Sequence, residues 1–186
     1  MTRLLLAAAS AATLAACAPM APMGGPMGAP MGGPMGSPMM PTNAMEYGRM
    51  AAASDMFEIQ SGQIAAQVSL SAETRQYGQM LVQHHTMTSN EMMAAARASG
   101  MPPPPPMLDA RKQAMLDQLR STPASRFDMT FFQMQVTAHQ EALALHQTYA
   151  ARGDMPALRA VAARAVPIVQ QHLTQAQQMH HRMMGM

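Results

Sequence analysis

The chain has no tryptophan, one cysteine and one lysine among its 186 residues, and aromatic side chains make up only 4% of it. A single cysteine, Cys17, excludes an internal disulfide framework and any thiolate metal cluster built within one chain. Lys112 is the sole lysine, and the 12 basic residues nearly balance the 10 acidic ones without forming a run. No nucleic-acid partner is expected from such a charge pattern. The apolar stretch near the N-terminus falls well short of the roughly 20 residues needed to cross a bilayer. A phosphate-cradling glycine loop, an HExxH zinc motif and a nucleophile–base pair in recognisable context are also missing. Nothing among the motifs supports an enzyme. With so few aromatics, a core has to be built mainly from Ala, Leu, Met and Val, which is helix-bundle material.

The N-terminus itself carries an address. Arg3 precedes an apolar run from Leu4, and Leu14-Ala15-Ala16 stands directly before Cys17. A charged start, a short apolar stretch and small residues before a cut form a secretory signal. The tetrapeptide ending in Cys17 resembles the bacterial lipobox, in which the cysteine is acylated and becomes the first residue of the mature protein. Several acyl chains anchor stably where one would be marginal. The expectation is a signal over residues 1–16, lipid on Cys17, and a domain held at the cell envelope facing the periplasm. Ala18 rather than Asp at the next position implies the outer membrane. The remaining length, about 170 residues, suits one domain plus a tether.

Residues 17–42 read as that tether. Pro-Met-Gly recurs at Pro22, Pro26, Pro30 and Pro34, a density of proline and glycine that holds neither a helix nor a packed strand. Methionines at 20, 23, 27, 31, 35 and 39 are unusual in such a segment.

A bundle domain is expected over 43–179, followed by a Met/His tail over 180–186. Asn43 and Glu46 form a capping-box pattern that opens a first helix reaching about Ser69, with Met50, Phe57, Ile64 and Val68 as its apolar stripe. A second helix is expected from Ser71 to about Gly100, with Leu70, Thr74, Tyr77, Leu81, His85, Thr88 and Met92 on one face. Five prolines, Pro102 to Pro106, then force an extended rod. A short helix over Asp109 to Leu119 follows. Ser125 and Asp128 suggest the start of the next long helix, which runs to about Ala151 with Phe127, Phe131, Met134 and Ala138 in its stripe. Asp154 is the expected cap of a last helix ending near Met179, kinked at Pro167. The pattern predicts an all-α fold: a ferritin-like four-helix bundle with a Pro-rich crossover and a short extra helix between helices two and three.

Each long helix offers one polar candidate to the interior: Glu58, His85, His139 and His172. A carboxylate and three imidazoles on facing helices make a four-ligand set suited to zinc, iron, manganese or copper. The same four could instead be a hydrogen-bonded polar core that fixes helix register, with no metal at all. No glutamate lies three residues before any of these histidines, so the paired Glu-x-x-His motif of di-iron bundles is absent and a ferroxidase is not expected.

Four segments carry a resemblance to a known family: Ser54-Asp55-Met56-Phe57-Glu58-Ile59, Leu81-Val82-Gln83-His84-His85-Thr86, Val136-Thr137-Ala138-His139, and Ala165-Val166-Pro167-Ile168-Val169-Gln170-Gln171-His172-Leu173. Over about Met45 to Gln178 the chain resembles the domain of unknown function 4142 family, a ferritin-like group of lipoproteins and exported proteins. The resemblance implies the bundle fold, an envelope location and polar residues at Glu58, His85, His139 and His172. It implies no particular activity. The chain departs from the family where an acidic residue is usual before the second-helix histidine, because His84 stands there.

Methionine is a further signal. Thioether sulfur is a soft ligand suited to copper(I). The tail reads Met179-His180-His181-Arg182-Met183-Met184-Gly185-Met186. His180, His181, Met183 and Met184 are secondary candidates there, as is His146 in the interior. Sequestration of copper(I) by the Met-rich ends thus stands beside the interior site and the polar core as a third reading.

Overall fold

The computed structural model describes residues 40–185. Cys17, the signal and the tether methionines up to Met39 lie outside the described residues, as does Met186. The described residues form helices only: α1 (Ala44–Val68), α2 (Ala72–Ala98), α3 (Ala110–Ser121), α4 (Ala124–Arg152) and α5 (Pro156–Met183).

Local chemistry sets several of these ends. The Asn43 side chain accepts the Glu46 N–H at 2.8 Å, Ser71 accepts that of Thr74 at 3.3 Å and Asp109 that of Lys112 at 2.8 Å. Glu46 spends its carboxylate on Arg49, so only half of the expected capping box forms. Gly100 at φ 72° closes α2: its N–H donates to the Arg97 carbonyl while Met101 N–H donates to that of Ala96, the paired bonds of a Schellman turn. Two expected caps do other work. Asp128 accepts the Ser69 hydroxyl at 2.6 Å and Asp154 accepts that of Tyr149 at 3.0 Å, leaving α4 and α5 to start at Pro123 and Met155 without side-chain caps. A hydroxyl, distant in sequence for Asp128 and five residues upstream for Asp154, takes the carboxylate in place of the local amide.

The same contacts establish the wiring. Asp128 places the start of α4 beside the α1–α2 turn, and the Asp154 N–H bond to the Thr42 carbonyl places the α4–α5 turn beside the start of α1. Helix α4 therefore runs antiparallel to α1 and parallel to α2. The proline rod and α3 must climb the length of the bundle, as the crossover reading requires, and α3 packs on α1 and α4. Pro167 lies on an exposed face of α5, so the Ala163 carbonyl it leaves unbonded also faces outward and the helix continues. Two residues of the expected stripes are not in the core: Val68 and Leu70 are 45% and 80% exposed, the first as the last residue of α1 and the second in the turn that follows it.

Two apolar clusters fill the bundle. One gathers Phe57, Tyr77, Leu81, Leu116, Phe127, Phe131 and Phe132 near the α1–α2 turn. The other gathers Tyr47, Ala51, Met92, Leu145, Tyr149 and Leu158 at the opposite end, where Tyr47 and Tyr149 stack with ring centres 3.8 Å apart. Between them lies a layer of buried polar side chains.

Helices α1 and α2 meet at a pair of glycines. A Cβ on Gly78 would stand 2.6 Å from the Gly62 carbonyl oxygen, and one on Gly62 would stand 2.6 Å from that of Gly78. In an exposed helix a Gly→Ala change stabilises by about 1 kcal/mol. Here Gly78→Ala has to push α2 away from α1, so a net loss of about 1–3 kcal/mol is expected. Urea unfolding checks this, and a raised midpoint would refute the close approach.

Candidate metal centre

The polar layer is assembled from all four long helices. Helix α1 supplies Asp55, Glu58 and Ser61, α2 supplies His85, α4 supplies Gln135 and His139, and α5 supplies His172; each is 5% exposed or less. Spacings of three and four residues along α1 and α4 put these groups on one face, one turn apart. His85, His139 and His172 each offer a ring nitrogen, and the three nitrogens lie within 4.8 Å of one another. Their ring centres form a near-regular triangle with sides of 5.7, 5.2 and 5.3 Å.

Hydrogen bonds determine which nitrogen each ring presents. His139 Nδ1 is 2.9 Å from the Gln135 carbonyl, which can only accept, so Nδ1 carries the proton and Nε2 its lone pair. His139 Nε2 is 3.3 Å from His172 Nδ1, and His172 Nε2 is 2.8 Å from His84 Nδ1. With His139 fixed, the chain has one consistent direction: His84 donates to His172, and His172 donates to His139. His85 is held separately. Its Nδ1 donates to Asp55 at 2.8 Å, an acceptor also bonded by Thr88, and its Nε2 has no hydrogen-bond partner among the described residues. A carboxylate behind one ring nitrogen with the other left free is how metal-ligating histidines are usually oriented.

Burial controls the charges. Loss of water, then the charge on His85, lowers His139 to about 3. Loss of water and the neighbouring His85, His139 and His84 lower His172 to about 2. Both rings are therefore neutral, the form that binds metal. Burial also acts to lower His85, but the hydrogen bond and charge of Asp55, with Glu58 behind, reverse the effect and raise it. Glu58 is wholly buried, and neither of its oxygens has a hydrogen-bond partner among the described residues. Burial pushes it up to about 7 against the pull of His85 and Lys112. Lys112 reaches this region from α3, itself buried, with its ammonium 5.6 Å from the centre of the Phe57 ring.

The structure places the sequence candidates unequally. His85, His139 and His172 come together. Glu58 borders them, with Oε1 3.7 Å from His139 Nδ1, a nitrogen already committed to Gln135. His146 stands apart, bonded at 3.0 Å to the Tyr47 hydroxyl and lowered by burial to about 4. His180, His181 and Met183 ride the last turn of α5, which continues past Met179, and Met184 caps it. They lie about 12 Å or more along the helix from His172. Asp55, Gln135 and His84 were not among the candidates. Asp55 stands one turn before Glu58 on the same face, and that spacing was its only signal.

The sequence profile of the Domain of unknown function (DUF4142) matches residues 29–179. The chain belongs to that family. Among the curated proteins none matches it. Two solved structures share the fold of this DUF4142 chain. CopM in the Cu(II)-bound form superposes with a TM-score of 0.65 at 16% identity, covering 75% of this chain and 97% of that one. CopM in the Ag-bound form gives 0.63 at 15% identity, covering 75% and 96%.

Protonation of the layer has a definite sign. His139, His172 and His146 titrate near 6.5 in an unfolded chain but at about 3, 2 and 4 in the folded one, so below 6.5 the unfolded state binds more protons and stability falls on acidification. Glu58, raised from 4.5 to about 7, acts oppositely between those values. His85 contributes stability that is fully present below 6.5 and is lost only as pH rises through its raised pKa, so it leaves the slope below 6.5 unchanged. Three groups outweigh one between 4.5 and 6.5, and below 4.5 the histidines act without Glu58. The urea midpoint of metal-free protein is expected to fall steadily from pH 6.5 to 4, and to fall less in His172→Gln. A flat profile would contradict the buried neutral rings.

Proposed function

We propose that the protein binds a transition-metal ion, with copper the best-supported choice, between α2, α4 and α5 while a lipid on Cys17 holds it at the envelope. One observation carries the metal reading: three buried ring nitrogens from three helices lie within 4.8 Å of one another. Imidazole donors suit copper(II) and zinc, whereas copper(I) favours thioethers. The two CopM structures of like fold are a Cu(II)-bound and an Ag-bound form, which adds support for copper over zinc, iron or manganese. Glu58 lies beside the three rings, outside the ligand group, as the charge that would balance the ion.

A second reading keeps the layer as a purely polar core. It is favoured by the bonds that already link His139, His172 and His84 end to end. Elemental analysis separates the two. Purified chain exposed to Cu(II) and desalted is expected to retain about one equivalent that His139→Ala loses; equal retention by both proteins would sink the interior site. Under the polar-core reading, His139→Ala changes only stability.

Anchoring rests on Leu14-Ala15-Ala16-Cys17 and on the signal-like pattern of the residues before the cysteine. In a bacterial host, Cys17→Ala is expected to move the protein from the outer-membrane fraction to the soluble or unprocessed pool. An unchanged distribution on fractionation would refute lipid attachment.

A further inference from the structure

His84 stands outside the three-nitrogen cluster, yet it is bonded to it. Adjacent residues on a helix point about 100° apart, so when His85 faces the buried layer His84 faces the seam between α2 and α5. There it is half-buried, with its ring stacked on His172 at 5.0 Å between centres and 12° between planes. His172 is thereby engaged at both nitrogens: Nδ1 lies 3.3 Å from His139 on the inside and Nε2 lies 2.8 Å from His84 on the outside. The opposite seam, between α1 and α4, is covered by α3. Among the described residues no helix lies over the α2–α5 seam.

We infer that His84 and His172 form a second, outer metal-binding position, the port through which a copper(II) ion reaches the inner three imidazoles. Two nitrogens bonded side by side to one ion, at about 2.0 Å each and near a right angle, stand about 2.8 Å apart. His84 Nδ1 and His172 Nε2 are held at that separation, 2.8 Å, by their hydrogen bond, and an ion that replaces the bond displaces the His84 Nδ1 proton to the other nitrogen of the same ring. The right angle belongs to the tetragonal geometry that copper(II) prefers, with water in the positions that face the seam. His172 presents one nitrogen to each position and, as a neutral ring with one lone pair, serves them in turn, its proton moving from Nδ1 to Nε2 as the ion passes inward. An arriving ion can therefore exchange water for imidazole one ligand at a time and need not shed its whole shell before entering an apolar interior. The His84-His85 doublet supplies one ring to each position from a single helix turn.

The inference rests on the interior metal site, and its test is arranged so that the two can fail separately. The full chain and His84→Gln are mixed with copper(II) sulfate, loading is followed by stopped-flow absorbance, and retained metal is counted after desalting. The Met-rich ends are common to both proteins, so the difference reports His84. His84→Gln is expected to keep the tightly held equivalent but to load about tenfold or more slowly, a change of the size that outer partners of metal sites produce. Circular dichroism and a parallel His84→Ala variant check that the bundle is intact. Identical loading and stoichiometry in parent and variants would overturn the port. Loss of the tight equivalent in His84→Gln would also overturn it, by making His84 an inner ligand. Failure of the parent itself to retain copper would sink the interior site and the port with it.

Discussion

Everything in this bundle is arranged around the cost of keeping ionisable side chains away from water. Asp55, Glu58, His85, His139 and His172 occupy one layer, sealed above and below by apolar clusters. Isolated charges in such a place are far too costly to persist, so the groups either pair or become neutral. His85 pairs with Asp55. His139 and His172 stay neutral and bond to a backbone carbonyl and to each other. Glu58 does neither fully, and burial pushes it toward its protonated form. The layer thus consists of neutral or internally compensated donors, which is also the state in which imidazoles accept a metal.

The crossover gives the layer its asymmetry. By climbing from the end of α2 to the start of α4, it lays α3 across α1 and α4 and delivers the sole lysine to the Phe57 ring. Lys112 lowers both Glu58 and His139, so a residue far away along the chain tunes the charges inside. The α2–α5 side has no such cover among the described residues, and its polar contact is a pair of stacked imidazoles. One flank is closed by packing, and the other is lined by groups that can exchange ligands.

Much of the fold was legible before any coordinates. Asn43, Ser71 and Asp109 start helices because a short polar side chain can reach its own backbone three residues on, a contact that needs nothing else from the protein. Phe127, Phe131, Met134 and Ala138 are buried as their spacing required. The misreadings share one cause. Asp128 and Asp154 look identical to caps in sequence, but Ser69 and the Tyr149 hydroxyl lie within reach in space and claim them. Val68 and Leu70 are apolar, yet stay exposed where α1 ends and the chain turns into α2.

The candidate site divides along the same line. Periodicity alone determined that His85, His139 and His172 point inward, because the 3.6-residue turn relates each to the apolar stripe of its own helix. The four-helix pattern and the crossover between the second and third long helices were likewise set by local signals. Only the tertiary structure decided that these three rings share one height, that Asp55 rather than Glu58 orients His85, and that His84 is tied to His172. Those are relations between helices. They depend on how closely α1 and α2 approach at Gly62 and Gly78 and on the register at which α5 settles against α2. Spacing within one helix carries no information about either.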